Sequence, residues 1–306
     1  MEPTPFGIFR SHSTRGQSIL AWSSAGLVAL SVDTSLLFIE PHTLQFVNAI
    51  EHYDIITAIL WDDGHLQKQI AGEFEHVIFC GDKSGVLRAW NLQTGVCFLK
   101  TSQQITDSSI TYQFPQSSIN IQTSENVKNI GIDKLLWHPS RSGCIFAFSK
   151  GNVLCLHDIL KQRIEWSLNL QTFPEEIFAF SVNTSDSSFV LCGKYGTLFF
   201  FNDCMRCDDN HTESNTPTPI CQPMSVHGTD SQTQNSIQQQ QVVAISFPQS
   251  IPRTVLVQFE SEAVLFDFIV GVQLTTIPSP FLARNTKAED ISTLYQSCII
   301  SSIGFN

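Results

Sequence analysis

The residues best suited to chemistry lie between Cys204 and His227. Cys204-Met205-Arg206-Cys207 has the two-residue spacing that turns two thiolates onto one tetrahedral metal, and His211, Cys221 and His227 follow closely enough to complete a ligand set. The spacing matches no common zinc finger, and the surrounding segment has too few hydrophobic residues to pack around an ion. These cysteines read as incidental, and neither a metal nor any other cofactor is expected. Nucleotide chemistry has no loop to work from: there is no G-x-x-x-x-G-K-[ST] and no G-x-G-x-x-G. Gly193-Lys194-Tyr195-Gly196 is the nearest text, and it is a strand-to-strand turn, as Gly81-Asp82-Lys83-Ser84-Gly85 is. No G-x-S-x-G elbow presents a serine nucleophile. Ser, His and Asp are plentiful but nothing ties three of them together, so the chain is not expected to be an enzyme.

Composition narrows the alternatives. The 306 residues carry 17 Lys and Arg against 28 Asp and Glu, a formal net charge of −11. Phosphate backbones are bound by clustered Lys and Arg, so a nucleic-acid partner is not expected. A polybasic membrane anchor is not expected either, and no apolar run reaches the roughly 18 residues of a membrane span. The opening residues Met1-Glu2-Pro3-Thr4-Pro5 show no export signal, and the nine cysteines are an odd number with Cys80, Cys155 and Cys192 inside apolar runs. Buried free thiols and a cytoplasmic setting are the expectation.

The elements that must position any functional residue are short strands. Apolar runs of five to seven residues, rich in Val, Ile, Leu and Phe, are cut by Gly, Asp, Asn and Ser. The clearest unit has four: Ile55 to Trp61, His76 to Cys80, Val86 to Asn91 and Val96 to Leu99. Weaker copies begin at Ser18, Leu135, Ile177 and Val242. The intervals Trp22 to Trp61, Trp137 to Phe180 and Asp158 to Asn202 are each about 40–45 residues, the period of a propeller blade. Sheets stacked radially bury both faces, which explains continuous apolar runs where a half-exposed sheet would alternate.

The second unit resembles a WD repeat. Trp90-Asn91 stands at the Trp-Asp position, His52 at that of the Gly-His histidine, and Leu92-Gln93-Thr94-Gly95 forms the turn between the last two strands. Asp158 and Asp267 hold the acid of the Trp-Asp pair in the third and fifth units. Ser84 takes the place of the usual turn aspartate, so the histidine's hydrogen-bond network is expected to be incomplete. The order of segments over roughly residues 17–282 resembles the N-terminal propeller of the WD repeat-containing protein 11 family. Ala21-Trp22-Ser23-Ser24-Ala25-Gly26 resembles its first blade, Lys83 to Asn91 its second, and Trp166 with Ile177-Phe178-Ala179-Phe180 its third-to-fourth junction. That resemblance implies a scaffold in a complex that tethers endosome-derived vesicles at the trans-Golgi network, with links to cilium formation and Hedgehog signalling. The family's second propeller and helical tail have no counterpart here, and the chain looks like a truncated product. A substrate receptor of a cullin-type ubiquitin ligase is the rival, but Gln93 and Leu160 stand where its W-D-x-R arginine would be.

The expected architecture is an all-β, WD40-type propeller with about five recognisable blades in one domain. An arm and blades 1–2 occupy residues 1–100, a polar insertion 101–131, blades 3–4 132–202, a disordered Ser/Thr/Gln-rich insertion 203–241, blade 5 242–277 and a degenerate tail 278–306. The ring is either incomplete or closed by degenerate strands such as Ile8-Phe9-Arg10, and an open ring would need a partner or aggregate. The expected contact points are rim residues on a rigid scaffold: Tyr53, Asp54, Lys83, Lys150, Lys194 and Tyr195.

Overall fold

A computed structural model describes residues 19–43, 45–62, 64, 66, 77–103, 109–110, 131–202, 217–220, 223–226, 241–248, 251 and 253–278. Five antiparallel meanders follow one another along the chain. Blade 1 is β1 (Leu20–Trp22), β2 (Val28–Val32), β3 (Ser35–Glu40) and β4 (Gln45–Glu51). Blade 2 is β5 (Ile56–Trp61), β6 (Val77–Asp82), β7 (Val86–Asn91) and β8 (Cys97–Ser102). Blade 3 is β9 (Lys134–Trp137), β10 (Cys144–Ser149), β11 (Val153–Asp158) and β12 (Arg163–Asn169). Blade 4 is β13 (Ile177–Val182), β14 (Ser188–Gly193) and β15 (Thr197–Asn202), with its fourth strand split into β16 (Thr218–Pro219) and β17 (Met224–Ser225). Blade 5 is β18 (Val242–Ser246), β19 (Thr254–Phe259), β20 (Glu262–Asp267) and β21 (Val272–Pro278).

The middle strands explain the apolar runs. Every residue of β6, β10, β11 and β14 is buried, because a neighbouring sheet covers each face. Four hydrophobic clusters join the blades in series. Phe38 and Trp61 belong to the seam between blades 1 and 2, Phe79 and Ile145 to the next, Phe146 and Phe189 to the third, and Phe200 and Phe266 to the fourth. Among the described residues no such cluster joins blade 5 to blade 1. The cysteines follow the same logic: Cys80, Cys144, Cys155 and Cys192 are buried free thiols.

The repeat extends to backbone detail. Strand pairing slips by one residue at the same place in four blades, just before Ile39, Trp90, His157 and Phe266. Such a bulge sharpens the local twist of the sheet. In blades 1 to 4 the linker leaving the outer strand is tied to the turn between the second and third strands. His52, Gln103, Leu170 and Val226 donate their backbone N–H to the carbonyls of Thr34, Gly85, Asn152 and Gly196, at 2.7, 2.8, 2.8 and 3.1 Å. Four buried side chains of unlike chemistry thus occupy one position.

Two expected boundaries are corrected. Thr101 and Ser102 complete β8, Gln103 is buried, and Ile110 bridges to Leu168 on the outer edge of blade 3, so the 101–131 insertion is partly built into the fold. The 203–241 stretch is likewise not wholly an insertion, since it supplies β16 and β17. Both elements escape an apolar-run search for one reason: an outer strand lies at the sheet edge and needs no continuous apolar pattern, and here two prolines interrupt it. Ile8-Phe9-Arg10 and residues 279–306 lie outside the described residues.

Candidate interaction rim

The outer-strand linkers and the turns between second and third strands meet at one end of the blades, and blade 2 shows how that rim is held. His52 is buried, with Nε2 3.2 Å from Asp82 Oδ2, and Trp90 Nε1 donates to His52 Nδ1 at 3.3 Å. Indole is only a donor, so Nδ1 accepts, while Nε2 faces both Asp82 and the Arg88 Nη1, the latter at 3.0 Å. Arg88 Nη1 donates to the same Oδ2, and Asp82 Oδ1 accepts from Ser84 N at 3.0 Å, Ser84 Oγ at 2.7 Å and Val86 N at 2.9 Å. Burial by itself would raise the Asp82 pKa. The hydrogen bonds from His52, Ser84, Val86 and Arg88 outweigh it and hold the carboxyl far below the usual range.

The network expected to lack its acid is therefore supplied with one. The carboxylate is that of Asp82, at the first position of the turn, and Ser84 is one of its donors. Asp82 and Arg88 are the residues that motif reasoning passes over. The Gly81-Asp82 pair at the end of an apolar run is the signal for the first, and nothing in the spacing marks the second.

Asn91, Asp158 and Asp267 do one job at the opposite end. Asn91 Oδ1 accepts from Gln93 N and Thr94 N at 2.9 and 3.0 Å. Asp158 Oδ1 accepts from Lys161 N at 2.9 Å, and Asp267 Oδ1 from Ile269 N and Val270 N at 2.8 and 3.1 Å. Each caps the turn into the outer strand, and in blade 1 the longer Glu40 does the same, accepting from His42 N and Thr43 N at 3.2 and 2.8 Å.

On the rim, Tyr53 is 76% exposed, yet its ring stacks on Trp90 at 6.2 Å and lies 4.9 Å from the Arg88 guanidinium carbon. An aromatic surface is thus held still before any contact is made. Asp54 Oδ1 accepts from Ile55 N at 2.7 Å and shapes the same linker. Lys83, Lys150 and Lys194 each follow the first turn residue in blades 2, 3 and 4. Lys150 Nζ lies over the Phe178 ring, its backbone N–H donates to Asp133 Oδ2 at 2.7 Å, and Lys194 Nζ is 5.8 Å from the centre of the Tyr195 ring. Burial pushes the Lys150 ammonium below its ordinary pKa, opposed by Asp133 and Glu176. The six expected rim residues lie at one end of the blades, with Tyr53, Lys83 and Tyr195 exposed.

Cys204, Cys207, His211, Cys221 and His227 lie outside the described residues. Among the described residues no three His, Cys, Asp or Glu side chains gather as metal ligands, and no helix is long and apolar enough to cross a membrane. Burial raises the thiol pKa of Cys144 to about 11 and of Cys155 to about 12, which leaves both as poor nucleophiles.

No protein family's sequence pattern matches the chain, and no curated protein matches it. Solved structures do. A chain in the crystal structure of the mitotic checkpoint complex aligns with a TM-score of 0.56 at 10% identity, covering 86% of this chain and 63% of that one. The fold is a WD40-type β-propeller fold. This chain spans less than two thirds of the length of that solved relative.

Proposed function

We propose that the chain is a non-catalytic scaffold that binds other proteins through the rim of blades 2 to 4. The observation that carries this is Tyr53, a largely exposed ring immobilised against Trp90 and Arg88 by the buried His52–Asp82 network. Rigid exposed tyrosines lose little entropy on contact and make good interface anchors. The net charge of −11 favours basic partner surfaces. The likeness to the WD repeat-containing protein 11 family supports placing this scaffold in the cytoplasm, in a vesicle-tethering complex at the trans-Golgi network.

Proximity labelling in cells tests both levels. The wild-type chain is expected to label Golgi and endosomal tethering proteins, and Y53A/Y195A to lose most of them while melting at the same temperature. Labelling of ubiquitin-ligase subunits instead would overturn the tethering assignment. An unchanged profile in the double variant would overturn the rim.

A further inference from the structure

The first position of the rim turn is Asp82 in blade 2, Ser149 in blade 3 and Gly193 in blade 4. In blade 2 the side chain at this position accepts from the N–H groups two and four residues on, those of Ser84 and Val86. In blade 4 the corresponding donors are Tyr195 and Thr197, and Gly193 has no side chain to receive them. Their acceptor comes from elsewhere. Glu175, in the linker that leads into β13, accepts from Thr197 N at 3.3 Å, and the Tyr195 N–H reaches the same carboxylate.

Gly193 is shaped for this substitution. Gly196 takes a φ of +94° and needs glycine for its backbone, but Gly193 is not among the residues with positive φ. Its missing side chain is a matter of room: a Cβ there would lie 1.3 Å from Glu175 Oε1 and 2.1 Å from Cδ. The volume that the Asp82 side chain fills in blade 2 is filled in blade 4 by a carboxylate arriving from another segment. Neighbouring bonds complete the fastening, with Lys194 N donating to Glu176 O at 2.9 Å and Val242 N to Lys194 O at 2.9 Å. Burial raises the Glu175 pKa, and the bonds from Thr197 and Tyr195 oppose the rise.

We infer that Glu175 and Gly193 form a transposed capping pair, in which Glu175 is the positioning residue for the Lys194–Tyr195 turn of the rim. The latch stands on geometry, and what the turn then contacts rests on the proposed scaffold function. The pair makes a reciprocal demand on sequence: an acid in the linker requires glycine at the turn, and an acid at the turn releases the linker.

Amide hydrogen exchange on the full chain reads the latch directly. E175A is expected to speed exchange at Tyr195 and Thr197 by roughly tenfold or more, as for loss of a charged acceptor. Exchange at Ser84 and Val86 should not change. G193A, which evicts the carboxylate without removing it, is expected to loosen the same two amides. Adding G193D to E175A rebuilds the blade 2 arrangement and should restore protection. Unchanged amides in E175A, or a double variant no better than the single, would overturn the inference. Should E175A not fold, recovery of folding in E175A/G193D carries the same support, and no recovery overturns it. Loosened amides with unchanged proximity labelling would leave the latch standing and sink the role of this turn in partner contact.

Discussion

His157 shows how much one residue can cost when the repeat keeps its backbone and changes its side chain. It occupies the Trp90 position of blade 3, follows the same bulge and is 1% exposed, but neither ring nitrogen has a hydrogen-bond partner. Burial lowers its pKa from 6.5 to about 4. The folded chain therefore holds the neutral ring while the unfolded chain takes up a proton below about pH 6.5. Stability is full above that pH and falls as pH drops toward 4, by up to about 3 kcal/mol. H157F removes both the orphaned nitrogens and the titration. It is expected to raise Tm at pH 7 and to raise it further at pH 5, as followed by thermal melts. Equal gains at the two pH values would show that protonation is not the cost. Asp82 leans the same way over a lower pH range: its depressed pKa adds stability above the ordinary carboxylate range, and that contribution is lost only in strong acid.

At the scale of strands, the outer positions behave unlike the inner ones. The second and third strands announce themselves by apolar runs because two sheets bury them. The outer strands do not, which is why β16 and β17 and the bridge at Ile110 fall inside stretches read as insertions. The outer strand of blade 5 departs in the other direction, as does β4 with Phe46 and Val47 59% and 49% exposed. Val272, Leu274 and Ile277 are 46%, 49% and 51% exposed, on a strand with a free hydrogen-bonding edge among the described residues. Exposed apolar edges recruit other strands. V272K/L274K is expected to reduce self-association of the isolated chain, measured by light scattering, with a change in Tm no larger than that of an ordinary surface substitution. Equal association in the variant would move the sticky surface elsewhere.

For the molecule as a whole, the serial order of the four hydrophobic seams makes stability nearest-neighbour in kind. A defect at an end should fray one sheet, and a defect in the middle should cost every sheet that leans on it. F266A, at the seam between blades 4 and 5, is expected to lose hydrogen-exchange protection mainly in β18 to β21. F146A removes a ring that contacts Trp166, Phe180 and Phe189 between blades 3 and 4, and should lower global stability by about 3–5 kcal/mol in denaturant titration. Uniform loss of protection in F266A would show that the blades melt as one unit.

The amino-acid order alone showed that four-stranded units repeat, with a period of about 40–45 residues, and where most of their inner turns fall. Those properties are local: a strand needs its own apolar run, and a turn needs its own glycine or short polar side chain. Tertiary structure alone decided which distant groups meet. His52 finds Asp82 30 positions away, and Thr197 finds Glu175 22 positions away. Polar linker residues carry no periodicity to predict such meetings. Their side chains are aimed by how one sheet seats on the next, so one vacancy in a turn is filled by its own aspartate in blade 2 and by a borrowed glutamate in blade 4.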